Sequence, residues 1–146
     1  MHNDLTVKIK KEHPDAKIPL HGSAGAAGYD LYAVAKEELP GNLVAYEIGL
    51  AFELPPGYVG LIFPRSSIYT TGLELTNCAG VLDEDYRGTV KAIFRRVHGV
   101  EIPGEYQKGD RVAQLVLVKW NPINFVETDK LSATERGTGG YGSTGR

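Results

Sequence analysis

The chain has 146 residues, 42% hydrophobic and 23% charged, with a formal net charge of -2. That length suits one domain with a full hydrophobic core. The charge lacks the basic excess of a duplex-nucleic-acid binder, so any anionic ligand is expected to be small.

The first fifteen residues, "MHNDLTVKIKKEHPD", lack the apolar core of a secretory signal. The best apolar run, "VAQLVLV" (112–118), is far too short to span a bilayer. One cysteine, Cys78, excludes a disulfide framework or thiol-rich zinc site and reads as a small hydrophobe in a reducing compartment. The expectation is a cytoplasmic protein with no membrane partner and no nucleic-acid partner. Short β-branched and aromatic runs then follow one another: "LTVKI" (5–9), "YDLYAV" (29–34), "IGLAFEL" (48–54), "YVGLIF" (58–63), "TVKAIFRRV" (89–97) and "RVAQLVLVKW" (111–120). Turn signals separate them at Pro40-Gly41, Pro55-Pro56-Gly57, Asp85 to Gly88, Pro103-Gly104 and Lys108-Gly109-Asp110. Many short strands with regular turns predict an all-β sandwich, barrel or jelly roll. One short helix is predicted in "PRSSIYTTG" (64–72), with Ser66 and Ser67 as N-caps and Gly72 as the stop. The run 111–120 is apolar on nearly both faces, which suits a strand buried between layers or at a subunit interface. Residues 1–135 read as one β domain and 136–146 as a flexible glycine-rich tail.

Several stretches carry chemistry, each with a plainer alternative. "FPRSSIYTTG" (63–72) brings an arginine, hydroxyls and a helix start together, which suits an anion as well as an ordinary capped turn. "NCAGVLDEDYRG" (77–88) crowds Asp83, Glu84, Asp85 and Tyr86 into a glycine-bounded turn. It reads either as a solvated acidic tip or as a water-activating carboxylate beside an aromatic that packs on a sugar. Gln114 stands in an apolar strand, where a buried amide needs partners. Asp30 lies just inside the strand that follows "AGAAGYDL" (24–31). "GTGGYG" (137–142) matches G-x-G-x-x-G, but no helix follows, so the dinucleotide fingerprint is not met. Composition alone makes it a disordered terminus. Its amides and hydroxyls, with Arg136 and Tyr141, equally suit a lid over a nucleotide. The four histidines are scattered and show no zinc spacing.

The order of these stretches is more specific than any one of them. "AGYDL" (27–31), "PRSS" (64–67), "GVLDEDYRG" (80–88), "GDRVAQL" (109–115) and "RGTGGYGSTG" (136–145) resemble, in sequence and order, the five motifs of the trimeric deoxyuridine triphosphatases. The resemblance covers essentially the whole chain. It implies an all-β, jelly-roll-like or β-clip subunit with one short helix, assembling as a homotrimer. It implies hydrolysis of dUTP to dUMP and pyrophosphate, which keeps uracil out of DNA and supplies dUMP for thymidylate synthesis. Mg²⁺ is the implied cofactor, held by phosphates and water rather than by a protein ligand cluster. By the same resemblance Asp83 activates the attacking water and Tyr86 packs under deoxyribose. Asn77 and the backbone from Cys78 through Val81 to Leu82 read uracil in a β-hairpin, with Lys91 as a further contact. Arg65, Ser66, Ser67 and Gln114 bind phosphate, and Arg65 and Gln114 join Asp83 in catalysis. Arg136 meets the γ-phosphate, Tyr141 covers the base, and Gly142, Ser143 and Thr144 belong to the closing tail. Asp30 matches a carboxylate near the metal's waters. Motif three departs from the family's common Gly-Glu ending with Gly88-Thr89, and the tail aromatic is tyrosine rather than phenylalanine.

The nearest alternative is deoxycytidine triphosphate deaminase, which shares the fold. Where that family places its acid/base glutamate, this chain has Ile93. Where it carries a second arginine after motif two, this chain has Thr70. A regulatory binding protein on the same scaffold is the other alternative, and the filled catalytic positions argue against it.

Overall fold

A computed structural model describes residues 5–99, 104–143 and 145. Ten strands and one short 3-10 helix form two antiparallel sheets around a single core. The all-β, jelly-roll-like expectation holds. The strands are β1 (Lys8–Lys11), β2 (Leu20–His21), β3 (Tyr29–Tyr32), β4 (Ala35–Leu39), β5 (Leu43–Glu53), β6 (Tyr58–Phe63), β7 (Leu73–Leu75), β8 (Gly80–Leu82), β9 (Thr89–Arg96) and β10 (Arg111–Lys119). One sheet has the order β1-β5-β9-β7, with β4 also paired to β5. The other runs β2-β3-β10-β6-β8.

β5 is the centre of the first sheet, and eight of its residues are buried between layers. At Gly49 its backbone takes φ 68°, in the left-handed region that favours glycine. The register with β9 slips there, so the half before Gly49 pairs with β4 and the half after it with β1. Between the sheets, Tyr46, Phe94 and Tyr106 meet edge to face, with centroids 5.7 to 5.9 Å apart. The buried Tyr46 hydroxyl donates to the Tyr106 carbonyl at 2.9 Å. Burial raises its pKa, so it stays a donor.

The helix at Ser66–Thr70 differs from its expected form. It is 3-10, and its N-cap is Arg65, in extended backbone, with no side-chain cap. The two serines lie within the first turn rather than capping it. Thr71 and Gly72, the latter at φ 67°, end it as expected. In β10, Val112, Ala113 and Leu115 are buried, whereas Val118 and Trp120 are exposed. After Lys119 the described chain forms no strand, and Ile123, Phe125, Val126 and Leu131 stand exposed. No helix among the described residues is long and apolar enough to cross a membrane.

Just before β10, Glu105 ties three elements together. Arg96 of β9 donates to it from Nε at 2.5 Å and from Nη2 at 3.2 Å, and Lys36 of β4 donates at 2.5 Å. These cations hold its carboxyl at about 2, below the ordinary 4.5. A depressed carboxylate pKa contributes stability above the unfolded value, which is lost as pH falls through the folded one. The urea midpoint should therefore fall between pH 4.5 and about 2. Glu105→Gln should lower the midpoint at neutral pH and flatten that acid slope, read from urea titrations at several pH values.

Candidate active site

The second sheet carries four of the five motifs. β3 holds Asp30 and β10 holds Gln114, directly opposite each other, and Gln114 also faces Phe63 at the end of β6. β6 runs straight into Pro64, Arg65 and the 3-10 helix. Pairing register alone thus places motifs one, two and four at one end of the sheet.

Polar contacts order that end. Asp30, whose side chain is 14% exposed, accepts from Arg65 Nε at 2.9 Å and from Arg111 Nη1 at 3.2 Å. One carboxylate therefore orients two guanidinium groups. Arg65 Nη1 also donates to Ser67 Oγ at 3.4 Å. Gln114 Nε2 donates to the Pro64 carbonyl at 2.9 Å, which answers the question of how its amide is satisfied. Its Oε1 packs against the Cα of Gly28, where no Cβ would fit. Ser66 is exposed beside this cluster.

Motif three lies elsewhere. β8 pairs antiparallel with β6, placing Leu82 opposite Gly60. Asp83 is therefore displaced from Gln114 by about 13 Å along the strands and two strand spacings across, roughly 16 Å in all. Within one chain the structure brings Arg65, Ser67 and Gln114 together and leaves Asp83 and Tyr86 apart from them. The three acidic side chains of the turn also separate by role. Glu84 Oε2 accepts from the Gly57 amide at 2.7 Å and anchors the loop to the β5–β6 turn. Asp83 is exposed and, among the described residues, accepts no side-chain hydrogen bond. Tyr86 folds over Gly88, with its hydroxyl directed at the Thr89 carbonyl, and is half exposed.

The expected hairpin proves to be open. β8 pairs with β6, and β9 pairs with β5 and, near its far end, with β7, so β8 and β9 belong to different sheets. The outer edge of β8 and the near half of β9 are left without strand partners on the sides that face each other. Between them lies a cavity of about 130 Å³ lined by Ile62, Asn77, Gly80, Lys91, Ala92 and Ile93. Lys91 at its rim pairs with Glu47 at 2.7 Å, which raises the ammonium's pKa. Cys78, exposed and free, turns the chain into β8 with φ 58°.

Among the described residues, the hydrogen bonds of the tail stay within 134–145. Arg136 donates to the Gly139 carbonyl at 2.8 Å, Ser143 N donates to the Gly140 carbonyl at 3.0 Å, and Tyr141 is fully exposed. Thr144 lies outside the described residues.

The family model described as dUTPase matches residues 14–145. The chain belongs to the dUTPase family. Among curated relatives it is 40% identical to the deoxyuridine 5'-triphosphate nucleotidohydrolase of Methylocella silvestris, over 99% of this chain and 94% of that one. It is 38% identical to the enzyme of the same name from Corynebacterium diphtheriae, over 95% and 92%. In fold it is similar to Staphylococcus bacteriophage 80alpha dUTPase solved with dUPNHPP, with TM-score 0.83 and 24% identity over 97% and 99% of the chains. It is also similar to a point mutant of the phage phi11 dUTPase, solved to show coordination of a structural Mg(II) ion, with TM-score 0.72 and 20% identity over 86% and 97%.

Within this dUTPase, no group of three or more His, Cys, Asp or Glu among the described residues could hold a metal alone. Asp30 fits an indirect role. Each of its oxygens accepts one guanidinium bond and keeps acceptor capacity for a water. Two partners were not foreseen from the sequence. Arg111 is visible there only as part of "GDRVAQL", and Glu47 only through its register opposite Lys91.

Gly28→Ala should displace the Gln114 amide without disturbing the core. We expect the denaturation midpoint to hold within a few degrees while turnover drops about tenfold or more, since small displacements of positioned groups are costly. Thermal melts and pyrophosphate release on the same samples check both parts.

Proposed function

We propose that the chain hydrolyses dUTP to dUMP and pyrophosphate, as a cytoplasmic homotrimer whose sites are shared between copies. The observation that carries this reading is the pair of free strand edges flanking a cavity of about 130 Å³. The Cys78 and Ala79 amides are already bonded to the Leu75 and Asn77 carbonyls. On this reading the outer main-chain edge of Gly80 to Leu82, with Asn77, supplies the donors and acceptors that pair with uracil. Against cytosine they leave groups unpaired, a mismatch that discriminates by about 10⁴-fold or more. Ile93 forms part of the cavity wall, and an apolar side chain there cannot move the protons that deamination requires.

The remaining roles follow from position. Tyr86 lies against the sugar, where tight packing excludes a 2′-hydroxyl. Asp83, exposed and uncommitted, takes a proton from the water that attacks the α-phosphorus. Arg65, Ser66, Ser67 and Gln114 of a neighbouring copy receive the phosphates. The roughly 16 Å between the two groups within one chain supports a site built from more than one copy. Arg136, Tyr141, Gly142 and Ser143 close over base and phosphates from a third copy, with Thr144 assigned the same part. Residues 136–146 are then a lid on the 1–135 domain. Mg²⁺ would offset phosphate charge, and Asp30 is the residue that would hold its waters. Pyrophosphate leaves in line with the attacking water.

Asp83→Asn should bind dUTP yet lose about 10²- to 10⁴-fold in turnover, the usual worth of a general base. Gln114→Ala should be similarly impaired. Co-refolding the two variants should restore pyrophosphate release well above either alone, because mixed assemblies contain sites with Asp83 from one copy and Gln114 from another. No recovery would exclude shared sites. Parallel assays with dCTP, dTTP and UTP test the base and sugar selectivity.

A further inference from the structure

The motif-three turn is pinned on both sides of Asp83. On one side Leu82 is 4% exposed and paired opposite Gly60 in the sheet. On the other, Glu84 Oε2 accepts from the Gly57 amide at 2.7 Å. Asp83 itself is exposed, and among the described residues its carboxylate accepts no side-chain hydrogen bond. Its direction is therefore set by the backbone, through its two neighbours.

The far end of the Glu84 contact is a fixed point rather than a loose turn. Gly57 takes φ 78°, in the left-handed region that favours glycine. Tyr58 N donates to the Pro55 carbonyl at 3.2 Å and closes this turn. The Gly57 carbonyl accepts from Trp120 N, just past β10, at 3.0 Å. Gly57 thus holds the end of β10 through its carbonyl and the motif-three turn through its amide. A carboxylate accepting from a backbone amide makes a charge-assisted bond, one of the stronger kinds.

The motif-three turn also closes on itself. Tyr86 N donates to the Asp83 carbonyl at 3.2 Å. Arg87 Nη1 donates to the carbonyls of Glu84 at 2.6 Å and Tyr86 at 3.2 Å. None of these bonds uses the Glu84 side chain, so without it the turn should shift as a unit rather than unfold. We propose that Glu84 is a positioning residue, whose carboxylate, by holding the Gly57 amide, fixes where the Asp83 carboxylate points. Supporting groups of this kind decide whether a reacting group stands in productive geometry. This deepens the proposed function and rests on Asp83 acting as the base.

The test compares wild type, Glu84→Ala, Glu84→Gln, Asp83→Asn and the Asp83→Asn/Glu84→Ala double variant in dUTP hydrolysis. Glu84→Ala should lower kcat about tenfold to a hundredfold, the cost of a misplacement of about 1 Å, with KM little changed. Its urea midpoint should stay close to that of wild type. Glu84→Gln keeps an acceptor oxygen and should recover most of the loss. In the Asp83→Asn background, Glu84→Ala should have no further effect. Unchanged kcat in Glu84→Ala would overturn the inference, as would an effect confined to KM, a loss that tracks a lowered midpoint, no recovery in Glu84→Gln, or an equal loss in both backgrounds. Crystals of Glu84→Ala give a readout without substrate. The Asp83 carboxylate should be displaced by about 1 Å or more, and an unmoved carboxylate would also overturn the inference. A wild type that leaves dUTP intact would reject the function, while that displacement would still uphold the placement of Asp83 by Glu84.

Discussion

β6 is six residues long, and the candidate site depends on which of its ends each motif occupies. Antiparallel pairing with β10 and β8 sends Gln114 to the end that runs into Arg65, and Asp83 to the other. An extended strand cannot fold back to bring its ends together. Binding the phosphates at one end and activating water at the other, as the proposed reading has it, calls for a second copy. On the proposed reading, assembly serves catalysis directly, because the neighbour supplies what register keeps away. The apolar residues left uncovered, Val118 on β10 and Trp120 and several others beyond Lys119, are compatible with such contacts.

The core and the phosphate end share one connection, the loop from Gly104 to Asp110. Tyr46 inside the sandwich fixes the carbonyl of Tyr106, and Arg96 and Lys36 fix Glu105. The Asp110 carbonyl then accepts from Ala33, just past the motif-one strand. A buried hydroxyl, a partly buried ion cluster and a backbone bond thus set the position from which β10 starts. Gln114 and Arg111 take their places from that start. Fixing the loop this firmly lets the site use rigid groups rather than induced ones at its phosphate end.

Most of the strand pattern was legible because its runs are β-branched and bounded by Gly and Pro. The runs at 29–34, 58–63, 89–97 and 111–120 correspond closely to strands. Shorter elements escaped. β4, "AKEEL", is an edge strand whose exposed charges break any alternation, and β7 and β8 are three residues each, too short to show a period. The first half of β5 was missed: the run read from the sequence begins at Ile48, whereas the strand begins at Leu43 and continues through the bend at Gly49. The serines at 66 and 67 have cap chemistry, but Arg65 already holds the extended backbone that a cap requires. At the candidate site, motif order named the residue types to expect, since phosphate, sugar and base each demand a recognisable chemistry. Partnerships were not. Asp30 between two arginines, Glu84 as a turn anchor and the opening between β8 and β9 all follow from register across distant segments, which local sequence does not encode.

That opening has a cost elsewhere in protein design. A bare strand edge is a template for unwanted pairing, and folds usually pair, cover or charge it. Here β8 is only three residues long, the adjoining loop carries three acidic side chains, and Gly80 lies close to Ile62 and Asn77. Reading a base with main chain also makes selectivity hard to lose by substitution, because every residue brings the same amide and carbonyl. What substitution can change is the wall. On the proposed reading, Ile93 rather than an acid, with Asn77 and Lys91 at the rim, makes this a cavity that recognises a base and does not alter it. Chemistry on that reading is confined to Asp83 and the phosphates beyond the sugar.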